Sequence, residues 1–266
     1  MERVSHLLGG TLVALTSLLG LASFFYPFFL NSAALSSAGS ARAGDAPIIF
    51  GLLMPLLLLL LLAELGGHRA NAKMIAALGI LTAINAVLRI PVGIGDSPTF
   101  FFLPILLGYA YGARFGFLLG SLSMFVSALL TFGIGPWLPF QMFALGWLGL
   151  GAAGLRPLGS HLGAWGEIVL LAIYGYVGGM LFGALMNIYS WPWSLGMGGL
   201  GWQPGISVAE TFRRYWLYYV TTSLTWDTLR GCFTAAFILL LGRPLLRELR
   251  RFHRRFVWTE DAVQFN

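Results

Sequence analysis

The chain of 266 residues is 58% hydrophobic and only 10% charged, and it carries 35 glycines and a formal net charge of +6. Its mean hydropathy of +0.80 and its long apolar runs exclude a water-soluble core and indicate a polytopic membrane protein. The one cysteine, Cys232, lies inside an apolar run, which excludes an intramolecular disulfide and a thiolate metal site.

Apolar runs predict eight membrane-spanning helices in chain order. Several runs are shorter than the roughly 20 residues that a perpendicular helix needs, and their many glycines predict close helix packing. The predicted fold is an all-α integral membrane bundle. The predicted spans cover residues 7–30, 47–63, 74–90, 98–113, 115–133, 137–155, 168–188 and 226–248.

The first span resembles a signal peptide, because Arg3 precedes it and the small-residue stretch "SAALSSAGSARA" follows. Its apolar region is longer than the roughly 7–15 residues of a signal peptide, so we expect a retained helix. Residues 31–46 read as a flexible external linker. We therefore expect an N-terminal transmembrane hairpin over 1–71, a six-helix unit over 72–250 and a basic cytoplasmic tail over 251–266.

The placement of positive charge predicts that both termini are cytoplasmic, since basic residues near span ends are retained on that side. The tail "GRPLLRELRRFHRRF" reads as a topology anchor against anionic lipid rather than a nucleic-acid site, because no aromatic-interleaved domain accompanies it. The predicted inner ends hold Arg3, Arg69, Lys73, Arg114, Arg156 and the arginines of this tail, whereas the outer ends hold only Arg42, Arg89, Arg213 and Arg214.

Three loops converge on the predicted external face: "RIPVGIGDSPTF" (89–100), "GIGPWLPFQMF" (133–143) and the long segment 187–227. They combine flat aromatic surfaces with a few hydrogen-bonding groups, as a small-molecule site requires. For any single Trp or Tyr, the alternative is an aromatic belt at the membrane interface. The candidate substrate-binding residues are Arg89, Asp96, Trp137, Gln141, Asn187, Trp191, Trp193, Tyr215, Trp226, Asp227 and Arg230.

Asp227 and Arg230 are the most informative charges, because they lie in the outer part of the last predicted span. At a spacing of i,i+3 they share a helix face, and one interpretation is that they neutralise each other. The other interpretation is that they line the floor of the external site, since ionisable groups at this depth are costly and usually face a cavity.

Enzyme motifs are weak in this sequence. "GIGD" (93–96) matches the GxGD stretch of intramembrane aspartyl proteases, and Asp227 is a conceivable second carboxylate, but the order is reversed and no PAL motif follows. All four histidines lie at predicted cytoplasmic ends, which argues against a rhomboid-type serine protease. No metal-ligand spacing and no Walker A sequence are present. We expect no enzyme, cofactor or metal; the alternative is a hydrolase using Asp96 and Asp227.

The run "FLPILLGYAYGARFGFLLGSLSMFVSALLTFGIGPWLPFQMFALGWLGLGAAGL" (102–155) resembles the substrate-binding S component of energy-coupling factor (ECF) vitamin transporters. The stretch "TSLTWDTLRGCFTAAFILLLGRPLL" is similar to the final helix of some members. The resemblance covers about residues 72–250, and the two N-terminal helices depart from the six-helix plan. It implies a subunit that captures a vitamin outside the cell, while a coupling subunit and two cytosolic ATPases drive its release inward.

The resembled family docks its first helix on the coupling subunit through small residues spaced by four. In this chain "ANAKMIAALGILTAINA" offers Ala72, Ala76, Gly79 and Ala83 for that contact. Small residues at this spacing let two helix backbones approach closely. The alternative is packing within the protein's own bundle.

Proline-built bends hold many large aromatic side chains near few charges, which favours a broad, partly flat ligand. Among vitamins of the resembled family, a corrinoid or its precursor fits that size best, and pterins, flavins and thiamine precursors are the alternatives. A different class of function is an ATP-independent secondary transporter or a lipid-binding membrane protein. Internal inverted repeats would favour a secondary transporter, and the sequence offers none that is convincing.

Overall fold

The computed structural model describes residues 2–30, 44–65, 72–90, 99–194 and 197–261. Every regular element in these ranges is helical, and three short 3-10 turns (Tyr26–Phe29, Trp191–Trp193 and Gly198–Leu200) accompany the α-helices. The α-helices are α1 (Glu2–Phe25), α2 (Ala46–Leu65), α3 (Ala72–Leu88), α4 (Phe102–Tyr111), α5 (Ala113–Leu130), α6 (Leu138–Ala153), α7 (Arg156–His161), α8 (Ala164–Ser190), α9 (Val208–Thr222) and α10 (Leu224–Asp261).

An apolar helix lies in each of the eight predicted spans, but within the described ranges only six of these helices are long enough to cross a membrane. In the described part of the chain, α1, α2, α5, α6, α8 and α10 are long and apolar enough to cross a membrane, and α3 and α4 are shorter apolar helices. The ten residues of α4 extend about 15 Å, half of a hydrocarbon core about 30 Å thick. The prediction of an all-α membrane bundle is confirmed.

The long segment predicted as an external loop holds a helix, α9. Its side chains alternate around the helix: Val208, Phe212 and Trp216 are exposed, whereas Tyr218 and Tyr219 are buried. The hydroxyl of its N-cap residue accepts a hydrogen bond from the backbone N–H of the third helical residue at 3.2 Å. Charged residues within this segment keep its mean hydropathy low, which is why a search for apolar runs passes over it.

Glycines let the central helices approach closely. Gly116 on α5 and Gly149 on α6 face each other, and a Cβ on either would overlap the backbone of the other. A Cβ on Gly120 would likewise overlap the backbone at Leu145. Such contact requires residues without side chains on both helices, and it fixes α6 in the centre of the bundle.

The crossing of α8 and α10 positions the site. A Cβ on Gly179 would meet the backbone of Gly231, so the two helices touch at this level. One turn further along α8, Gly183 leaves the space that the carboxylate of Asp227 occupies. The absence of a side chain on α8 therefore allows a charged group of α10 to lie between the helices.

The two N-terminal helices, predicted as a hairpin, pack against the rest of the bundle. Helix α1 contacts α2 and α6, and α2 contacts α5 and α6. The indole N–H of Trp147 donates to the hydroxyl of Ser17 at 3.0 Å, and Phe24 meets Phe140 edge to face with 5.1 Å between ring centroids. These contacts give the additional helices a defined place on the α6 side of the bundle.

Candidate substrate-binding site

A cavity of about 380 Å³ lies between α6, α8 and the beginning of α10. Five of the residues that the sequence singles out meet there, namely Gln141, Asn187, Trp226, Asp227 and Arg230. The remaining wall is formed by Phe182, Gly183, Met186 and Ser223. The cavity therefore has apolar and aromatic walls with a few polar groups, the composition typical of small-molecule sites.

Asp227 and Arg230 form an ion pair in the wall of this cavity. Nη1 of Arg230 donates to Oδ1 of Asp227 at 2.5 Å, and the two residues are only 9% and 2% exposed. The guanidinium also lies over the rings of Phe101 and Phe182, 5.5 and 5.4 Å from their centroids. The two charges therefore neutralise each other and also line a cavity. That this cavity is the external site stays a prediction.

Four buried polar atoms around the cavity have no hydrogen-bond partner within the described residues: Oε1 of Gln141, Nδ2 of Asn187, Oδ2 of Asp227 and Nε of Arg230. The side chain of Asn187 is oriented by Ser223, whose hydroxyl donates to Oδ1 at 2.9 Å. A buried polar atom without a partner costs about 1–3 kcal/mol. A ligand with two matching donors and two matching acceptors would recover that cost.

Tyr219 on α9 does not line the cavity but lies near the charge of Asp227, and no sequence signal points to this. Burial, together with the nearby charge of Asp227, raises the pKa of the Tyr219 hydroxyl to about 12. The hydroxyl therefore keeps its proton at neutral pH and can donate to the carboxylate. Its position depends on the helical register of α9, which a reading of the segment as a loop does not reveal.

Three sequence-predicted residues do not line this cavity. Nη1 of Arg89 donates to the hydroxyl of Ser127 at 3.0 Å, which ties the end of α3 to α5. Trp137 is 43% exposed, and its indole N–H donates to the carbonyl of Gly133 at 3.3 Å across the bend before α6. Asp96 lies outside the described residues.

Three more predicted residues pack in a separate aromatic cluster, which we call the tryptophan cluster. Its buried members are Trp191, Trp202 and Tyr218, and Phe28, Leu30, Trp193, Ile206 and Tyr215 pack against them. The indole N–H of Trp191 donates to a backbone carbonyl at 2.9 Å, and the hydroxyl of Tyr215 donates to the carbonyl of Ala184 at 2.7 Å. This cluster joins α9 to α8 and to the turn after α1.

Charges on α9 serve a local purpose. Arg213 and Arg214 both donate to the carboxylate of Glu210, at 2.7–2.8 Å. These hydrogen bonds lower the pKa of Glu210 to about 2. Arg214 also donates to the carbonyl of Gly201 at 3.2 Å, so the network links the first turn of α9 to the preceding segment.

Three of the four predicted docking residues lie on the outer face of α3. Ala76, Gly79 and Ala83 are exposed, and a Cβ added to Gly79 would meet no described atom within 4 Å. Ala72 is the first residue of α3. The alternative that the sequence leaves open is packing within the protein's own bundle. Among the described residues, such packing does not cover Ala76, Gly79 and Ala83.

Ligation of a metal finds no support in the part of the chain that the structure describes, since no three His, Cys, Asp or Glu residues group together there.

The apolar helices and the glycine-packed bundle define the class of protein: a multi-pass helical membrane protein. A family model described as "ECF transporter, substrate-specific component" matches residues 73–242, from α3 into α10. The chain belongs to this family, whose members are transporter subunits and not enzymes. No curated protein and no solved structure matches the chain.

Proposed function

We propose that this protein captures a vitamin or vitamin precursor in the cavity between α6, α8 and α10, on the external face of the membrane. The observation that carries the proposal is the set of unpartnered buried atoms on Gln141, Asn187 and Arg230 around one cavity. In a family of substrate-specific transporter components, such atoms are the groups expected to select the cargo.

The chemistry of the cavity favours a neutral, planar and polar substrate. The Asp227–Arg230 pair carries no net charge, so a small acid or an inorganic ion would find no uncompensated partner in this pair. Phe182, Met186 and Trp226 supply the flat apolar surface. A heteroaromatic ring edge with two donors and two acceptors matches these atoms. The donors would face the free oxygens of Gln141 and Asp227, and the acceptors would face the free N–H groups of Asn187 and Arg230.

The volume of the cavity distinguishes between the vitamins that remain as candidates from the sequence. A cavity of about 380 Å³ is near the lower end of the roughly 300–1,000 Å³ that binds drug-sized ligands. It holds a compound of one or two rings, so thiamine precursors and pterins fit better than the three-ring system of a flavin or the corrinoid that the sequence favours. A corrinoid would place only an edge or a side chain of its macrocycle here.

The family implies association with the components of an ECF module and its ATPases. We propose that the exposed face of α3, with Ala76, Gly79 and Ala83, contacts the coupling subunit. Support comes from the small size of these residues, their exposure, and the position of the N-terminal hairpin on the α6 side of the bundle. A helix of the coupling subunit can approach α3 closely only where the residues are small and no other helix covers them.

Mass spectrometry of small molecules retained by the gently purified protein tests the substrate. We expect one planar compound of one or two rings, bound at about one per chain, and absent from an Asn187→Leu variant that remains folded. Recovery of a corrinoid at the same occupancy would reject the size argument. Recovery of lipid and detergent alone, together with no binding from a panel of the candidate vitamins, would reject the proposed site.

Substitution of Ala76 by Leu tests the docking face. We expect Ala76→Leu to prevent co-purification with the coupling subunit, because the larger side chain keeps the helices apart, while vitamin binding by the isolated protein stays unchanged. The matched control is Ala236→Leu, which makes the same change on the exposed face of α10. Unchanged co-purification of the Ala76 variant, or equal loss in both variants, would contradict the assignment.

A further inference from the structure

A second cavity, of about 480 Å³, lies between the beginning of α8 and the later part of α10. Its walls hold four arginines and one glutamate, so its surroundings are strongly positive. The arginines are Arg243, Arg247, Arg250 and Arg251. Arg243 follows Asp227 by sixteen residues on α10, which places this cavity about 24 Å from the substrate-binding site along the helix.

Two of the four arginines already have acidic partners. Arg250 forms an ion pair with Glu167, whose carboxylate also accepts a hydrogen bond from Tyr109 at 2.6 Å. Arg251 pairs with Glu248 at 3.3 Å on the surface. The charges of Arg243 and Arg247, which line the same cavity, are therefore the ones that an incoming anion would meet.

These two arginines have no acidic partner in the described ranges of the chain. Arg243 lies over the ring of Trp165, 5.4 Å from its centroid, and Arg247 lines the cavity without an ion pair. Two guanidinium groups without counter-ions favour an anionic occupant with several acceptor oxygens, since each fork of N–H groups matches a phosphate.

An apolar surface adjoins this positive cavity. Ile168 and Leu246 form its buried wall, at 1% and 2% exposure. Along α8, Trp165, Val169 and Ile173 are exposed and follow one another at intervals of four residues, so they form one strip. On α10, exposed Leu239 and Leu240 precede Arg243 by one turn. Positive groups thus stand at one end of a surface suited to acyl chains.

We propose that this cavity binds the phosphodiester headgroup of an anionic phospholipid, with the acyl chains along the α8–α10 surface. Basic pockets between membrane helices bind acidic headgroups, and an exposed Trp165 beside Arg243 is placed as residues of the membrane interface are. A soluble anion would use the arginines but not the apolar strip. Such a site holds one lipid molecule in a defined cleft. A basic tail alone, by contrast, is attracted to the anionic membrane surface in general.

The test uses full-length protein in detergent micelles containing equal amounts of phosphatidylglycerol and phosphatidylcholine, with bound lipid counted by native mass spectrometry. We expect Arg243→Gln/Arg247→Gln to lower the bound ratio of phosphatidylglycerol to phosphatidylcholine about thirtyfold, since each arginine contributes about 1 kcal/mol of attraction. The control Arg213→Gln/Arg214→Gln removes the same charge from α9 and should leave the ratio unchanged.

Three results would overturn the proposal: an unchanged ratio in the Arg243/Arg247 variant, an equal loss in the control, or full displacement of the lipid by millimolar inorganic phosphate. The last result would indicate a site for soluble anions. If the double variant does not fold, the single variant Arg247→Gln replaces it, because this substitution breaks no ion pair within the described residues. The bound ratio of phosphatidylglycerol to phosphatidylcholine should then fall about fivefold. Vitamin binding is measured in parallel, so that failure of the substrate-binding site is distinguished from failure of this one.

Discussion

Replacing Gln141 by Leu separates a substrate contact from a structural contact. Oε1 of Gln141 is buried at the cavity and has no partner among the described residues, so the native fold gains nothing from that acceptor. Leu has a similar volume and no polar atoms. The substitution therefore removes a group that only a ligand would use.

The structure sets the expected magnitudes. Loss of one hydrogen bond to a buried ligand costs about 1–3 kcal/mol, which is roughly a tenfold to hundredfold loss in affinity. The free energy of unfolding should stay within about 1 kcal/mol of the wild-type value or rise slightly, because a buried acceptor without a partner is replaced by an apolar group. Affinity and stability are thus expected to move independently.

Asn85→Leu is the matched control. Asn85 is 0% exposed on α3, both of its side-chain polar atoms lack partners within the described residues, and it does not line the cavity. Its replacement should raise the free energy of unfolding by about 1–3 kcal/mol and leave affinity unchanged. Isothermal titration with the compound released from the wild-type protein, and thermal unfolding in the same detergent, measure both quantities.

The reasoning would be refuted by a folded Gln141→Leu variant that binds the compound with wild-type affinity. It would also be refuted by a variant that loses both stability and affinity, since Oε1 would then have a structural partner. A loss of affinity in Asn85→Leu equal to that in Gln141→Leu would show that the effect is transmitted through the bundle rather than made at the cavity.

Asp227→Asn should behave differently from Gln141→Leu, because it leaves Arg230 charged and uncompensated in a buried site. We expect a loss of about 3–5 kcal/mol in the free energy of unfolding, measured by thermal unfolding. An unchanged melting temperature would contradict the ion pair. Positive charge at alternating span ends predicts that a cysteine at Gly198 is labelled only from outside and one at His253 only from inside. Both are introduced after Cys232→Ala, and labelling of the two positions from one side would reject the topology.

The apolar helices could be predicted from apolar runs, because a helix that crosses lipid must be predominantly apolar over the thickness of the hydrocarbon core. The short α4 was included for the same reason. Helix α9 was missed, because its exposed Phe212 and Trp216 alternate with charged residues and produce no long apolar run. Its detection needs periodicity at 3.6 residues rather than mean hydropathy.

The candidate site was partly predictable, and the reason lies in the kinds of residue involved. Asp227, Arg230 and Gln141 interrupt apolar segments, where polar groups are costly unless they face a cavity or each other, and the structure brings them together. Tryptophans gave a weaker signal, since the same residue type fills the buried cluster around Trp191. Composition alone does not separate an aromatic wall of a ligand site from an aromatic core.

Uptake by reconstituted vesicles tests the central claim most directly. Vesicles containing an ECF coupling subunit and its two ATPases are compared with and without this chain, using the radiolabelled compound that the purified protein retains. We predict uptake that requires both this chain and ATP hydrolysis and that falls at least tenfold in the Gln141→Leu variant at low substrate concentration. Equal uptake by this chain without the ATPases would contradict the account and would identify an ATP-independent secondary transporter instead.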